Sequence, residues 1–132
     1  SIGGDLVKTT QSGANPTFSA TGRFNDKRMR SLNDLPTIWS YAFKDGDRRS
    51  VILINLDTKS AHPAVLKFPG SAKDGKAELI RLAADSITAN NEPELPESQV
   101  KLKSETLSDF KPGTTISLPK HSMTVVTWRE AK

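Results

Sequence analysis

A chain of 132 residues, 35% hydrophobic and 26% charged, has the size and composition of one folded domain and is too apolar to stay disordered. The absence of cysteine excludes a disulfide scaffold, a CxxC redox motif and a thiolate metal site. The net charge of +4 comes from basic residues that form no stripe interleaved with aromatics, and the longest apolar run, 51–56, is far short of the ~20 residues of a membrane-crossing helix, so neither nucleic acid nor membrane is expected as a partner.

Two short strands are predicted first, at 6–9 and 16–20, with Gly13 and Asn15 turning between them. The only concentration of basic residues follows, at Arg23, Lys27, Arg28 and Arg30, and Asp26 and Asp34 interrupt it. The strongest local signal comes next. Residues 37–43 are rich in aromatic and β-branched side chains, Asp45-Gly46 reads as a two-residue hairpin turn, and 49–56 is the returning strand. With Asp45 and Gly46 as the turn pair, Phe43 faces Arg48, Tyr41 faces Ser50 and Trp39 faces Ile52. One face of the hairpin then carries Trp39, Tyr41, Phe43, Ile52 and Ile54, and the other carries Ile38, Ala42, Val51 and Leu53. Both faces are apolar, so the hairpin is expected to be central and covered on both sides.

Residues 62–68 alternate and end at Pro69-Gly70. Residues 76–85 fit a helix through Leu79, Leu82 and Ala83, and fit a strand through the alternation of Glu78, Ile80 and Leu82 against Ala77 and Leu79. The β character of the neighbours favours the strand. Two prolines make 90–96 a loop. Strands follow at 99–107, at 115–118, where Pro119 stops it, and at 123–128, a β-branched run. Short strands punctuated by Gly and Pro give an expected fold class of all-β, an antiparallel β-sandwich of about eight strands in a single domain spanning 1–132.

Few residues offer chemistry. Residues 70–76 match the first seven positions of a phosphate-binding P-loop, but Ala77 stands where a hydroxyl would hold Mg²⁺, and a surface loop is the plainer reading. His62 and His121 form no metal-binding pair, and no GxSxG elbow surrounds a serine. The carboxylate groups Asp45 with Asp47, and Glu92 with Glu94 and Glu97, lie in a turn and a loop and read as solvated. No catalytic residue, cofactor or metal is therefore expected. Trp39 and Tyr41, two apart on one strand, point the same way ~7 Å apart and would stack on sugar rings. The same pair serves equally as core or as a domain interface, and an aromatic content of 6% favours that reading. Trp128 is read as core or interface.

The run from Ile38 through Trp39-Ser40-Tyr41-Ala42-Phe43 to Asn55-Leu56-Asp57 resembles the central hairpin of the C-terminal β-sandwich domains of clan-A glycoside hydrolases, such as α-L-arabinofuranosidases and related xylan- or glucan-active enzymes. Residues 116–128 are similar to their closing strand, and Asn90-Asn91-Glu92-Pro93 fits their loop. The resemblance implies a non-catalytic accessory module, since the catalytic glutamates of such enzymes sit on a (β/α)₈ barrel. One hairpin face would fill the sandwich and the other would dock on that barrel. The implied setting is a secreted, extracellular or periplasmic bacterial enzyme acting on plant cell-wall polysaccharide. A chain beginning at Ser1 without initiator methionine or signal peptide is what we expect of an excised module. Were sugar to bind, Trp39 and Tyr41 would stack, and Arg48 and Asn55 would contact hydroxyls. The alternative is a structural or protein-interaction sandwich with no sugar affinity.

Overall fold

Twelve β-strands and no helix are found among residues 4–24, 27–28, 30–89, 91–93 and 98–132, which the computed structural model describes. In chain order they are β1 (Asp5–Val7), β2 (Thr17–Ala20), β3 (Arg23–Phe24), β4 (Lys27–Arg28), β5 (Leu32–Pro36), β6 (Ile38–Asp45), β7 (Arg48–Asn55), β8 (His62–Val65), β9 (Ala72–Ala83), β10 (Lys101–Leu107), β11 (Thr115–Leu118) and β12 (Ser122–Glu130). Six form one antiparallel sheet in the order β1-β6-β7-β12-β9-β10. The pairs β8–β11, β2–β5 and β3–β4 are separate two-stranded ribbons. The all-β sandwich expected from the sequence is the observed fold.

The count exceeds the expected eight or so because β3, β4 and β5 add to it. β5 has the sequence Leu-Asn-Asp-Leu-Pro, which carries turn formers and no β-branched residue. Pairing with β2 overrides that preference through a bulge, with Asp34 in the left-handed region at φ 54°.

The segment open to two readings is a strand. In β9, Ala77 and Leu79 are buried on one face while Ile80 and Leu82 occupy the other, the two-residue period of a strand paired on both edges.

The central hairpin departs from its expected register. Asp45 pairs with Arg48, so the turn residues are Gly46 and Asp47 rather than Asp45 and Gly46. Gly46 has φ 57° and Asp47 is not left-handed, and a turn that needs positive φ at its first central position selects glycine there. The shift is two residues per pairing, so each side chain keeps its face while its partner changes: Trp39 meets Ile54, Tyr41 meets Ile52 and Phe43 meets Ser50.

One face of the large sheet is the core. Val51 and Leu53 of β7, Val126 and Trp128 of β12 and Ala77 and Leu79 of β9 are buried there. The covering layer brings Ile116 and Leu118 of β11, Ala64 of β8, and Leu66, Phe68 and Phe110 from adjoining loops. Phe68, Phe110 and Trp128 form an aromatic cluster with ring centroids 4.6 to 5.3 Å apart, so Trp128 is core. Side chains of this size contribute ~1.5–3 kcal/mol each when fully removed from water. Where β1 stops short, side chains take over the free edge of β6. Asn15 donates to Ile38 O (2.9 Å) and accepts from Ile38 N (3.0 Å), and Gln11 donates to Ser40 Oγ (3.0 Å).

Among the described residues no layer covers the opposite face. Trp39, Tyr41, Met123, Leu102 and Leu6 are all exposed on it. The expectation that the hairpin would be covered on both sides is therefore corrected: the second layer is a short ribbon and lies on one side only.

Candidate functional site

The open face is ordered in transverse rows by strand register. The first row runs Trp39, Ile54, Met123, Leu82, Leu102 across five strands. The second runs Tyr41, Ile52, Val125, Ile80, Ser104. The third, Leu6, Phe43, Ser50, Thr127, Glu78, Thr106, turns polar at its centre, where Ser50 and Thr127 share a hydroxyl hydrogen bond of 3.1 Å. Beyond it lie Asp45, Arg48 and Arg129, with Arg129 donating to Asp47 at 2.7 Å. Strands ~4.8 Å apart and rows ~7 Å apart make the first two rows an apolar patch on the order of 300 Å². A patch of that size is comparable to the largest on a typical monomer, which is often functional.

The sequence-derived site residues separate on this framework. Trp39 and Tyr41 stand side by side on the open face, 36% and 39% exposed. The indole N–H of Trp39 donates to Pro36 O at 2.7 Å, which fixes the ring and leaves only its face and edge carbons to contact a partner. Their cross-strand neighbours are Ile54 and Ile52, not polar groups. Arg48 is on the same face but four residues beyond Ile52, or ~13 Å along β7, and cannot share a sugar ring with Tyr41. This corrects the reading that placed Arg48 and Ser50 beside the aromatic pair, and its cause is the turn at Gly46-Asp47.

Asn55 is on the other face and 1% exposed. Its amide donates to Ser60 O (3.1 Å), Leu118 O (3.1 Å) and Pro119 O (2.8 Å), and its oxygen accepts from Asp57 N (2.9 Å). It has neither access nor spare hydrogen-bonding capacity for a sugar hydroxyl, so its expected role is withdrawn. The signal that could have found this was the alternation itself, which sets 51, 53 and 55 on the core face.

Between the loop after β7 and the start of β8, His62 Nε2 and Asp57 Oδ2 share a hydrogen bond of 2.8 Å. The His62 hydrogen bond, followed by those from the Lys59 and Ser60 N–H groups, lowers the Asp57 carboxyl from 3.8 to about 2. This pair clamps a turn. Asp45 precedes the hairpin turn and Asp47 lies in it, both exposed, and the Arg129 hydrogen bond lowers Asp47. Glu92 is exposed, while Asn90, Glu94 and Glu97 lie outside the described residues, as does Asp26 of the basic patch. The P-loop-like segment is a bulge at the start of β9, with Asp74 and Gly75 at φ 55° and 59°. Among the described residues no three of His, Asp and Glu converge as metal ligands.

No protein-family model matches the chain, and no curated protein matches it in sequence. Solved structures do. The thermostable GH51 α-L-arabinofuranosidase from Thermotoga petrophila RKU-1 superposes with a TM-score of 0.72 over 86% of this chain at 20% identity. The chain has the fold of a β-sandwich found in glycoside hydrolases. The α-L-arabinofuranosidase from Thermotoga maritima gives a TM-score of 0.72 over 86% at 21% identity. CelM2, a bifunctional glucanase-xylanase from a metagenome library, gives 0.53 over 77% at 17% identity. At such identities the likeness is one of fold. This chain spans 24% of each arabinofuranosidase and 17% of CelM2. The resemblance drawn from 38–57 and 116–128 is thus met by the architecture.

Proposed function

We propose that this chain is a non-catalytic accessory module of a polysaccharide-degrading glycoside hydrolase, and that the open face of its large sheet packs against the catalytic domain. The observation that carries the reading is the pair of apolar rows from Trp39 to Leu102 and from Tyr41 to Ile80. Their inner members are aliphatic, which suits the shape-matched packing of a protein surface better than the flat aromatic platform a neutral sugar stacks on. Counted on both partners, the patch gives on the order of 600 Å², the lower end of interdomain interfaces. A sandwich fold found in glycoside hydrolases, at about a quarter of an arabinofuranosidase's length, fits a supporting part. Breakdown of wall polysaccharide takes place outside the cytoplasm, so an extracellular or periplasmic location accompanies this reading.

The test compares Leu102→Lys in the isolated chain and in a polypeptide that joins the chain to its catalytic domain. Docking predicts an unchanged melt for the isolated module, and in the joined protein two separated transitions replacing one. A single unchanged transition in the joined protein would sink it. A second reading, sugar stacking on Trp39 and Tyr41, is supported by their shared orientation and exposure.

A further inference from the structure

The bulge that opens β9 builds a second feature, beyond the polar end of the open face. Ala72 and Ala77, five residues apart, face Glu130 and Trp128, two apart. The surplus chain is turned outward at Asp74 and Gly75, both left-handed, and Asp74 takes a conformation that costs a non-glycine residue ~1 kcal/mol or more. The bulge is anchored to the core, because Phe110 N donates to Gly75 O at 2.8 Å. Beside it lies an open groove of about 530 Å³. Four cations line this groove, Arg48, Lys73, Lys76 and Arg129, against two carboxylates, Asp74 and Glu78. Asp47 engages Arg129, but no described residue pairs with the guanidinium of Arg48, a half-buried residue. Thr106 and Thr127 also line the groove, the Thr127 hydroxyl being bonded to Ser50, and Trp128 forms part of its wall.

We propose that this groove binds a carboxylate-bearing glycan, one with uronic acid units. The Arg48 guanidinium is a two-pronged donor free to take a carboxylate, with Lys76 adding charge. Thr106, Thr127 and Glu78 supply the donors and acceptors that sugar hydroxyls need. The groove volume lies within the range of small-ligand sites. The carboxylate is argued from charge; the choice of a sugar to carry it rests on the accessory-module reading. The groove shares no residue with the two apolar rows, so the two sites fail or stand separately.

The experiment uses the full chain with Trp39→Phe, which leaves Trp128 as the sole tryptophan beside the groove. It is titrated with glucuronic-acid-substituted xylo-oligosaccharides, with neutral xylo-oligosaccharides and with polyglutamate, following emission and, in parallel, heat of binding. The expected result is saturable binding of the acidic sugar, about tenfold or more tighter than either control, weakened by salt and by about tenfold in Arg48→Gln and Lys76→Gln variants that melt like the parent. Equal affinity for neutral sugar overturns the carboxylate, and equal affinity for polyglutamate overturns the glycan. Absence of binding by either readout overturns both. Leu102→Lys leaves acidic-sugar binding unchanged, whatever it does to docking.

Discussion

Trp39 and Leu102 stand at opposite ends of one row that crosses five strands, joined through Ile54, Met123 and Leu82. They are 63 residues apart in the chain, yet the register of four strand pairings makes them two ends of a single apolar stripe. In the isolated module this stripe faces water. It is therefore expected to bind a hydrophobic dye such as ANS. The double variant Met123→Lys, Leu102→Lys should lower that emission while changing stability by no more than ~0.5 kcal/mol per site, since both side chains are exposed. Undiminished dye binding in a folded double variant would mean that the dye reports some other surface.

Asn55 behaves in the opposite way. It sits within the core and holds the loop after β7 against the end of β11 through three carbonyl acceptors. Asn55→Ala leaves those carbonyls and the Asp57 N–H without their partner, at a cost of about 3 kcal/mol. Urea denaturation should show a lowered midpoint, well beyond that of Leu102→Ala. Near-equal midpoints for the two variants would refute the clamp.

Alternation and turn residues carried most of the fold. The faces of β6, β7, β9 and β12 could be read from period-two patterns, because every strand of a half-buried sheet must obey them. The parity of Asn55 was legible in the same pattern, and its side-chain polarity misled. Register was harder. Asp-Gly marks a turn, but whether glycine takes the first or second central position depends on backbone twist, and the difference moved Arg48 away from Tyr41. The bare outer face was not legible, because an apolar face reads alike whether it meets its own chain or another. The groove depends on a bulge whose glycine and aspartate were visible, but whose cations come from β7, β9 and β12.

Asp57 gives a pH dependence with a defined sign. Its carboxyl lies at about 2 in the folded chain against 3.8 as the ordinary value. A lowered carboxyl stabilises the fold above the ordinary value, and that contribution is lost as pH falls from about 4 towards 2. Melting temperature measured across this window should fall less steeply in Asp57→Asn than in the parent. Parallel curves would show that the His62 pair does not contribute.

Thr124 is fully buried, and its hydroxyl has no hydrogen-bond partner among the described residues. Its cross-strand neighbours are Leu53 and Arg81. Valine has the same shape and no hydroxyl to desolvate. Thr124→Val should therefore raise stability by about 1 kcal/mol, read from denaturant midpoints at unchanged slope. A loss of similar size would reveal a bound water bridging the hydroxyl to the Arg81 Nε–H, which is also without a partner.

The sugar-stacking reading of Trp39 and Tyr41 meets its test in retardation of the chain through gels containing soluble xylan, xyloglucan or mixed-linkage glucan. Stacking of one ring on an exposed indole would be lost in Trp39→Ala, provided the variant's melt shows it folded. The indole N–H already serves Pro36 O, and both cross-strand neighbours are isoleucine, so only ring faces are available to hold a sugar. We accordingly expect no retardation by these neutral glycans, with the aromatic pair acting as part of the docking face. Retardation abolished by Trp39→Ala would reassign the first row to polysaccharide. Docking would then have to be sought elsewhere, at the uncovered part of the core face that carries Lys101, Lys103 and Glu105 on β10.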